Sequence, residues 1–90
     1  MKIRRRYHFT GFVQGVGFRF RAYHSAQLLG LTGWVRNEYD GSVTMEVQGE
    51  RQKIDSMIDK IQNGLYINID HTDFKELPLN PDERSFEIAN

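Results

Sequence analysis

Cysteine is absent from all 90 residues. That one absence removes disulfides, thiol nucleophiles and thiolate metal sites together. No apolar run approaches membrane-spanning length. The N-terminus, Met1-Lys2-Ile3-Arg4-Arg5-Arg6, is basic, but alternating residues follow it instead of the apolar core of a signal peptide, so the default compartment is the cytoplasm. His8, His24 and His71 are scattered, with no partner at ligand spacing, so neither a metal nor a cofactor is expected. Acids are missing from residues 1 to 36, which hold Lys2, Arg4, Arg5, Arg6, Arg19, Arg21 and Arg36; all twelve acids lie beyond. In a chain of zero formal net charge, such a split marks either an anion- or nucleic-acid-binding half or a fold that interleaves the two halves. The second arrangement is favoured in part, with Arg4, Arg5 and Arg6 as ordinary solvated strand residues.

The chain is long enough for one small domain with a single core, spanning residues 1–90. A first strand is expected over residues 3 to 13, with Ile3, Tyr7, Phe9, Gly11 and Val13 facing the core. A helix from Phe20 to Leu29 follows, on the spacing of Phe18, Ala22, Ala26 and Leu29, and Gly30 stops it. A second strand covers 31 to 37, and Asp40-Gly41 signals a hairpin turn. In the third strand Val43, Met45 and Val47 alternate with Thr44, Glu46 and Gln48, and Gly49 ends it. A second helix runs from Glu50 to Asn63 with the stripe Ile54, Ile58, Ile61 and Leu65, closed by Gly64. A fourth strand lies within 67 to 77. Its face is ambiguous, because Ile67 and Ile69 have one parity and Thr72 and Phe74 the other. Pro78 and Pro81 bracket a turn, and Phe86 and Ile88 suggest a short final strand. The order predicts an α+β fold, a ferredoxin-like βαββαβ sandwich. Its sheet is mainly antiparallel, with two helices on one face and a short extra C-terminal strand.

Between the first strand and first helix stands Gly11-Phe12-Val13-Gln14-Gly15-Val16-Gly17-Phe18-Arg19. Glycines at such a turn permit backbone angles that aim successive N–H groups into one concavity beside a helix N-terminus. Arg19 adds a planar, permanently charged fork suited to phosphate oxygens. The chemistry points to an oxyanion site, although glycine turns between strand and helix also occur with no ligand. No lysine and serine pair follows the glycines as in a nucleotide-binding loop.

This segment resembles the acylphosphatase signature G-x-V-Q-G-V-x-F-R. A second block, Gly33-Trp34-Val35-Arg36-Asn37 followed by Asp40-Gly41-Ser42-Val43, is similar to the G-W-V-x-N and D-G-x-V of the same family. The match is strong from Tyr7 to Gly49 and weak from Gln52 onward. The resemblance implies the ferredoxin-like fold and metal-independent hydrolysis of acyl phosphates to a carboxylate and inorganic phosphate. It also implies roles. Arg19 grips the phosphate, the backbone N–H groups of Gly15, Val16, Gly17, Phe18 and Arg19 cradle it, and Asn37 orients the attacking water.

The partner is then a small-molecule acyl phosphate, with inorganic phosphate as product and inhibitor, no membrane, and a monomeric chain. On the residues alone, plain turn chemistry before Asp40-Gly41 is the favoured reading of Asn37, and only its spacing from Gly33-Trp34 lifts the catalytic one. Trp34 reads as packing, and Gln14 is placed to brace the loop. The alternative is a non-catalytic ferredoxin-like module binding RNA or protein, with Tyr7, Phe9 and Phe12 as stacking aromatics. The aromatic-free third strand argues against RNA. A further alternative is a stand-alone relative of the acylphosphatase-like domain of hydrogenase maturation factors.

Overall fold

A computed structural model describes residues 1–90. The chain forms β1 (Lys2–Phe12), α1 (Phe18–Leu29), β2 (Thr32–Asn37), β3 (Val43–Glu50), α2 (Arg51–Gln62), β4 (Asn68–Leu77) and β5 (Phe86–Ile88). The five strands make one sheet in the order β4-β1-β3-β2-β5. Pairing is antiparallel throughout except between β2 and β5, which run parallel. The expected βαββαβ order and final short strand are present. The element limits shift by a residue or two, and α1 begins at Phe18, two residues before its expected start.

One face of the sheet carries both helices. Tyr7, Phe9 and Val13 from the β1 side meet Val35, Val43, Met45, Val47 and Phe86 from the other strands in a single buried cluster. Phe18, Ala22 and Ala26 of α1 and Ile54, Met57 and Ile61 of α2 close over them. Small residues on α1 let that helix lie close to the sheet. Gly30 adopts the left-handed conformation and its N–H returns to the Ala26 carbonyl, which is the usual glycine stop. Two details of α2 differ from expectation. Met57 takes the buried place assigned to Leu65, which lies beyond the helix and is 84 % exposed. Asn63, not Gly64, is the C-cap, its N–H bonded to Asp59 O.

The arginines of β1 are not solvated as expected. Arg4 and Arg5 are buried, and only Arg6 is exposed. Arg4 lies on the face opposite the helices, where its guanidinium meets Glu46 at 2.9 Å and Glu83 at 2.7 Å. Gln48 beside it exchanges two hydrogen bonds with the Asn80 backbone, so the segment after Pro78 is pinned across that face. Arg5, on the helix face, donates to Tyr7 Oη and Asp55 and lies 4.5 Å over the Phe74 ring. A buried guanidinium requires partners of this kind. The acid-free N-terminal third and the acid-rich remainder therefore neutralise each other inside the fold.

The ambiguous parity of β4 has a structural cause. β1 and β4 pair as Thr10↔His71 and then Gly11↔Ile69, leaving Asp70 as an extra residue in a β-bulge. The bulge flips the alternation, so Ile69 and Phe74, of opposite parity, pair with Gly11 and Tyr7 on the same side of β1. Gly11 makes room for it: a Cβ there would stand 2.4 Å from Asn68 O and 2.6 Å from the Asp70 nitrogen, at φ +122°. Gly11→Ala is therefore expected to cost at least about 2 kcal/mol, from backbone strain and overlap together. The check is a lower urea midpoint at unchanged slope.

Candidate active site

The loop after β1 hangs between two buried side chains, Val13 and Phe18. Gly15 (φ 73°) and Gly17 (φ 82°) both take left-handed angles, with open space where a Cβ would sit. Backbone angle, not crowding, thus selects glycine there. The first helical bond of α1 runs from Arg21 N–H to Gly17 O. The N–H groups of residues 15 to 20 donate no hydrogen bond, and no side chain caps the helix. Alternate left-handed residues are the geometry in which successive N–H groups share one concavity, and the positive end of the helix dipole adds to it. Unpaired donors in such a run are suited to an anion.

A cavity of about 280 Å³ opens at this loop, lined by Gly15, Gly17, Phe18, Arg19 and Asn37 and bounded by Phe20, Ile88 and Asn90. The two separated sequence blocks thus meet: Arg19 is the second residue of α1, and Asn37 is the last residue of β2. Val16 lies outside this lining, in the wall of an adjoining groove. Trp34 is on the other side of β2 from buried Val35, with Arg36 4.9 Å over its ring, and does not reach the cavity.

Arg19 is half-buried and has no acidic partner. Its Nη1 donates to the Asn90 backbone oxygen and, at 3.0 Å, to Asn90 Oδ1. The same Oδ1 accepts the Asn37 N–H at 3.2 Å, and Asn90 Nδ2 donates to Asn37 O at 2.9 Å. Asn90 therefore links the arginine to the end of β2. It was invisible in the sequence, because no motif surrounds it and only the fold brings it near residues 53 and 71 positions away.

The Asn37 side chain makes no hydrogen bond within the protein, and its Oδ1 is buried without a partner. An orphaned acceptor of that kind costs about 1–3 kcal/mol. The hairpin turn is built without it. Asp40 Oδ1 accepts from Ser42 N–H and Oγ–H, and Gly41 N–H donates to Glu38 O.

Neither a carboxylate nor a histidine lines the cavity. The acids nearest Asn37 in sequence, Glu38 and Asp40, are both held below the ordinary carboxylate range. Hydrogen bonding from Thr44 and then Arg36 does this for Glu38, and bonding from Ser42 does it for Asp40. Of the three aromatics that an RNA-binding module would need on its surface, Tyr7 and Phe9 are buried in the core and only Phe12 is exposed.

The sequence model of the acylphosphatase family matches residues 5–88. The chain belongs to the acylphosphatase family. It is similar to the acylphosphatase of Geobacillus thermodenitrificans, 39 % identical over 79 residues, which are 87 % of this chain and 84 % of that one. Similarity to the acylphosphatase of Koribacter versatilis is 40 % identity over 85 residues, 93 % of this chain and 77 % of the relative. The crystal structure of acylphosphatase from Bacillus subtilis superposes with a TM-score of 0.90 at 28 % identity, all of each chain being covered.

Gln14 couples the two halves of the cavity. Its Nε2 donates to Glu38 O at 2.7 Å and Ser42 O at 2.9 Å, tying the glycine loop to the hairpin that follows Asn37. Gln14→Ala leaves both carbonyls without this donor and is expected to cost about 1–3 kcal/mol, read by denaturant unfolding. Faster amide exchange across residues 38–42 would accompany it.

Proposed function

We propose that this chain, acting through residues 1–90 as one domain, hydrolyses acyl phosphates to a carboxylate and inorganic phosphate. The observation that carries the proposal is the meeting of unbonded N–H groups, an arginine with no acidic side-chain partner and an orphaned Asn37 oxygen in one cavity. Family membership supports the same reaction. The N–H groups of Gly15 to Arg19 and the Arg19 guanidinium hold the phosphate oxygens. Binding there requires Arg19 to exchange its Asn90 acceptors for those of the substrate. Asn37 Oδ1 accepts a hydrogen bond from the attacking water, which gives that buried oxygen its missing partner.

Water attacks phosphorus, and the P–O bond to the acyl group breaks as a carboxylate departs. The carboxylate is a good leaving group, so positioning and fixed positive charge supply most of the acceleration. An amide is no base near neutral pH. The water proton passes to the departing carboxylate or to a phosphate oxygen, since no acid or histidine lines the cavity. No metal is required for these steps. Inorganic phosphate, the product, competes for the same N–H groups. A monomeric active unit and a cytoplasmic location are part of the proposal.

Two variants test the division of labour. Arg19→Ala is expected to lower acyl phosphate kcat/KM by at least about 10²-fold, the scale for one lost oxyanion donor, with poor recovery in Arg19→Lys. Near-normal turnover in Arg19→Ala would remove the arginine from the site.

Asn37→Ala is expected to depress kcat strongly while phosphate inhibition stays the same, the pattern of an interaction made only in the transition state. Its melting temperature should not fall, because the side chain bonds to nothing in the fold. Full activity with lowered stability would return Asn37 to a turn role.

A further inference from the structure

Arg19 takes both of its hydrogen-bond partners from one residue. The Asn90 backbone oxygen accepts from Nη1, and so does Asn90 Oδ1 at 3.0 Å. Asn90 is exposed, yet its amide is not free to turn. Oδ1 also accepts the Asn37 N–H at 3.2 Å, and Nδ2 donates to Asn37 O at 2.9 Å. The chain leading to it is held as well. β5 runs parallel to β2 in the register Val35↔Ile88, and the Ala89 N–H donates to Val35 O at 2.9 Å. Two acceptors are therefore fixed on the wall of the cavity, and only the arginine must be ordered to meet them. Both are uncharged. A phosphate oxygen is the stronger acceptor for a guanidinium, so the contact is one that an anion can displace. A two-point grip needs two parallel N–H bonds from one edge of the fork. With both Asn90 contacts on Nη1, the end edge formed by Nη1 and Nη2 does not supply that pair.

We propose that Asn90 is the resting acceptor of Arg19, and that it competes with phosphate for the guanidinium and so promotes release of the inorganic phosphate product. The proposal rests on the phosphate being held at residues 15–19. Arg19 is the moving part, and Asn90, tied to the Asn37 main chain, is the fixed one. Each turnover takes Arg19 from Asn90 to the substrate phosphate and returns it when the product leaves. A protein that spends about nine-tenths of its time with Arg19 on Asn90 binds phosphate about tenfold more weakly than one without that contact. Substrate and product carry the same phosphate group, so both are weakened. Once either is bound, Asn90 no longer touches the arginine and leaves the reacting complex as it was. Looser ground-state binding of this kind costs nothing at saturating substrate and shortens the stay of the product.

The test is Asn90→Ala, which removes Oδ1 and both bonds that tie residue 90 to Asn37. The residue lies beyond β5 and is exposed, so the variant is expected to fold, and its melting temperature checks this. The inhibition constant of inorganic phosphate and the KM for benzoyl phosphate are expected to fall together, each by at least about threefold. Calorimetric titration with phosphate should show the same tightening. A residue that merely positioned Arg19 or Asn37 would act the other way, lowering kcat and leaving phosphate binding unchanged or weaker. Asn90→Asp is the second variant, because it keeps an acceptor on Arg19 and adds charge to it. It should raise both constants, and by more than Ala89→Asp, which puts the same charge one residue away. An unchanged or higher phosphate constant in folded Asn90→Ala overturns the competition and leaves the hydrolase standing. Equal effects of the two aspartates do the same. A parent chain that neither binds phosphate nor hydrolyses benzoyl phosphate overturns the phosphate site itself.

Discussion

Everything at the cavity depends on a loop that keeps its own N–H groups unbonded without collapsing. A free peptide would turn those donors toward water or toward its own carbonyls. Here Val13 and Phe18 fix the two ends of the loop in the core, and Gln14 fixes its middle to the neighbouring hairpin. Between those three restraints, glycine angles hold the backbone open. The donors are thus set before any ligand arrives, and binding needs little reorganisation of the main chain. The core beneath the loop is what enforces this. Phe18 packs against Phe9 with ring centroids 4.9 Å apart and the planes tilted, so the first residue of α1 is locked to the interior strand that delivers the loop.

Much of this was legible in the sequence, and particular residues show why. Gly30 and Asp40-Gly41 act locally, through backbone angle and turn chemistry, and both stand where local rules put them. The alternation of β3 was clear because Val43, Met45 and Val47 face one uninterrupted core. β4 was not, because a single extra residue at Asp70 reverses its parity and nothing within the strand announces that. The burial of Arg4 and Arg5 is hidden in the sequence for a related reason. A buried arginine depends on Glu83, Glu46 and Asp55, acids that lie 42 to 79 residues away and become neighbours only in the fold. The spacing of Leu65 continues the α2 stripe in the sequence, but the helix ends at Gln62 and the phase is lost.

At the cavity itself, the motif residues were legible as a set and their wiring was not. Arg19 and Asn37 are 18 positions apart and could be paired only by family resemblance. Their link through the Asn90 side chain belongs to the fold, since the parallel β2–β5 pairing and the Ala89 N–H to Val35 O bond carry the chain end back past β2. The outer face of the sheet tells a parallel story. Held by Arg4 through Glu83 and by Gln48 through the Asn80 backbone, the segment after Pro78 covers part of that face.

The bulge at Asp70 has a consequence for solubility. β4 is the outermost strand beside β1, ten residues long, with one whole row of backbone donors and acceptors facing solvent. A flat edge of that length is a template on which another chain can add a strand. The extra residue breaks the regular spacing of those groups partway along. Asp70, Asp73, Lys75 and Glu76 place charge on the rest. The feature that seats β4 against Gly11 thereby also keeps the sheet from growing beyond its fifth strand, and guards the protein against edge-to-edge aggregation.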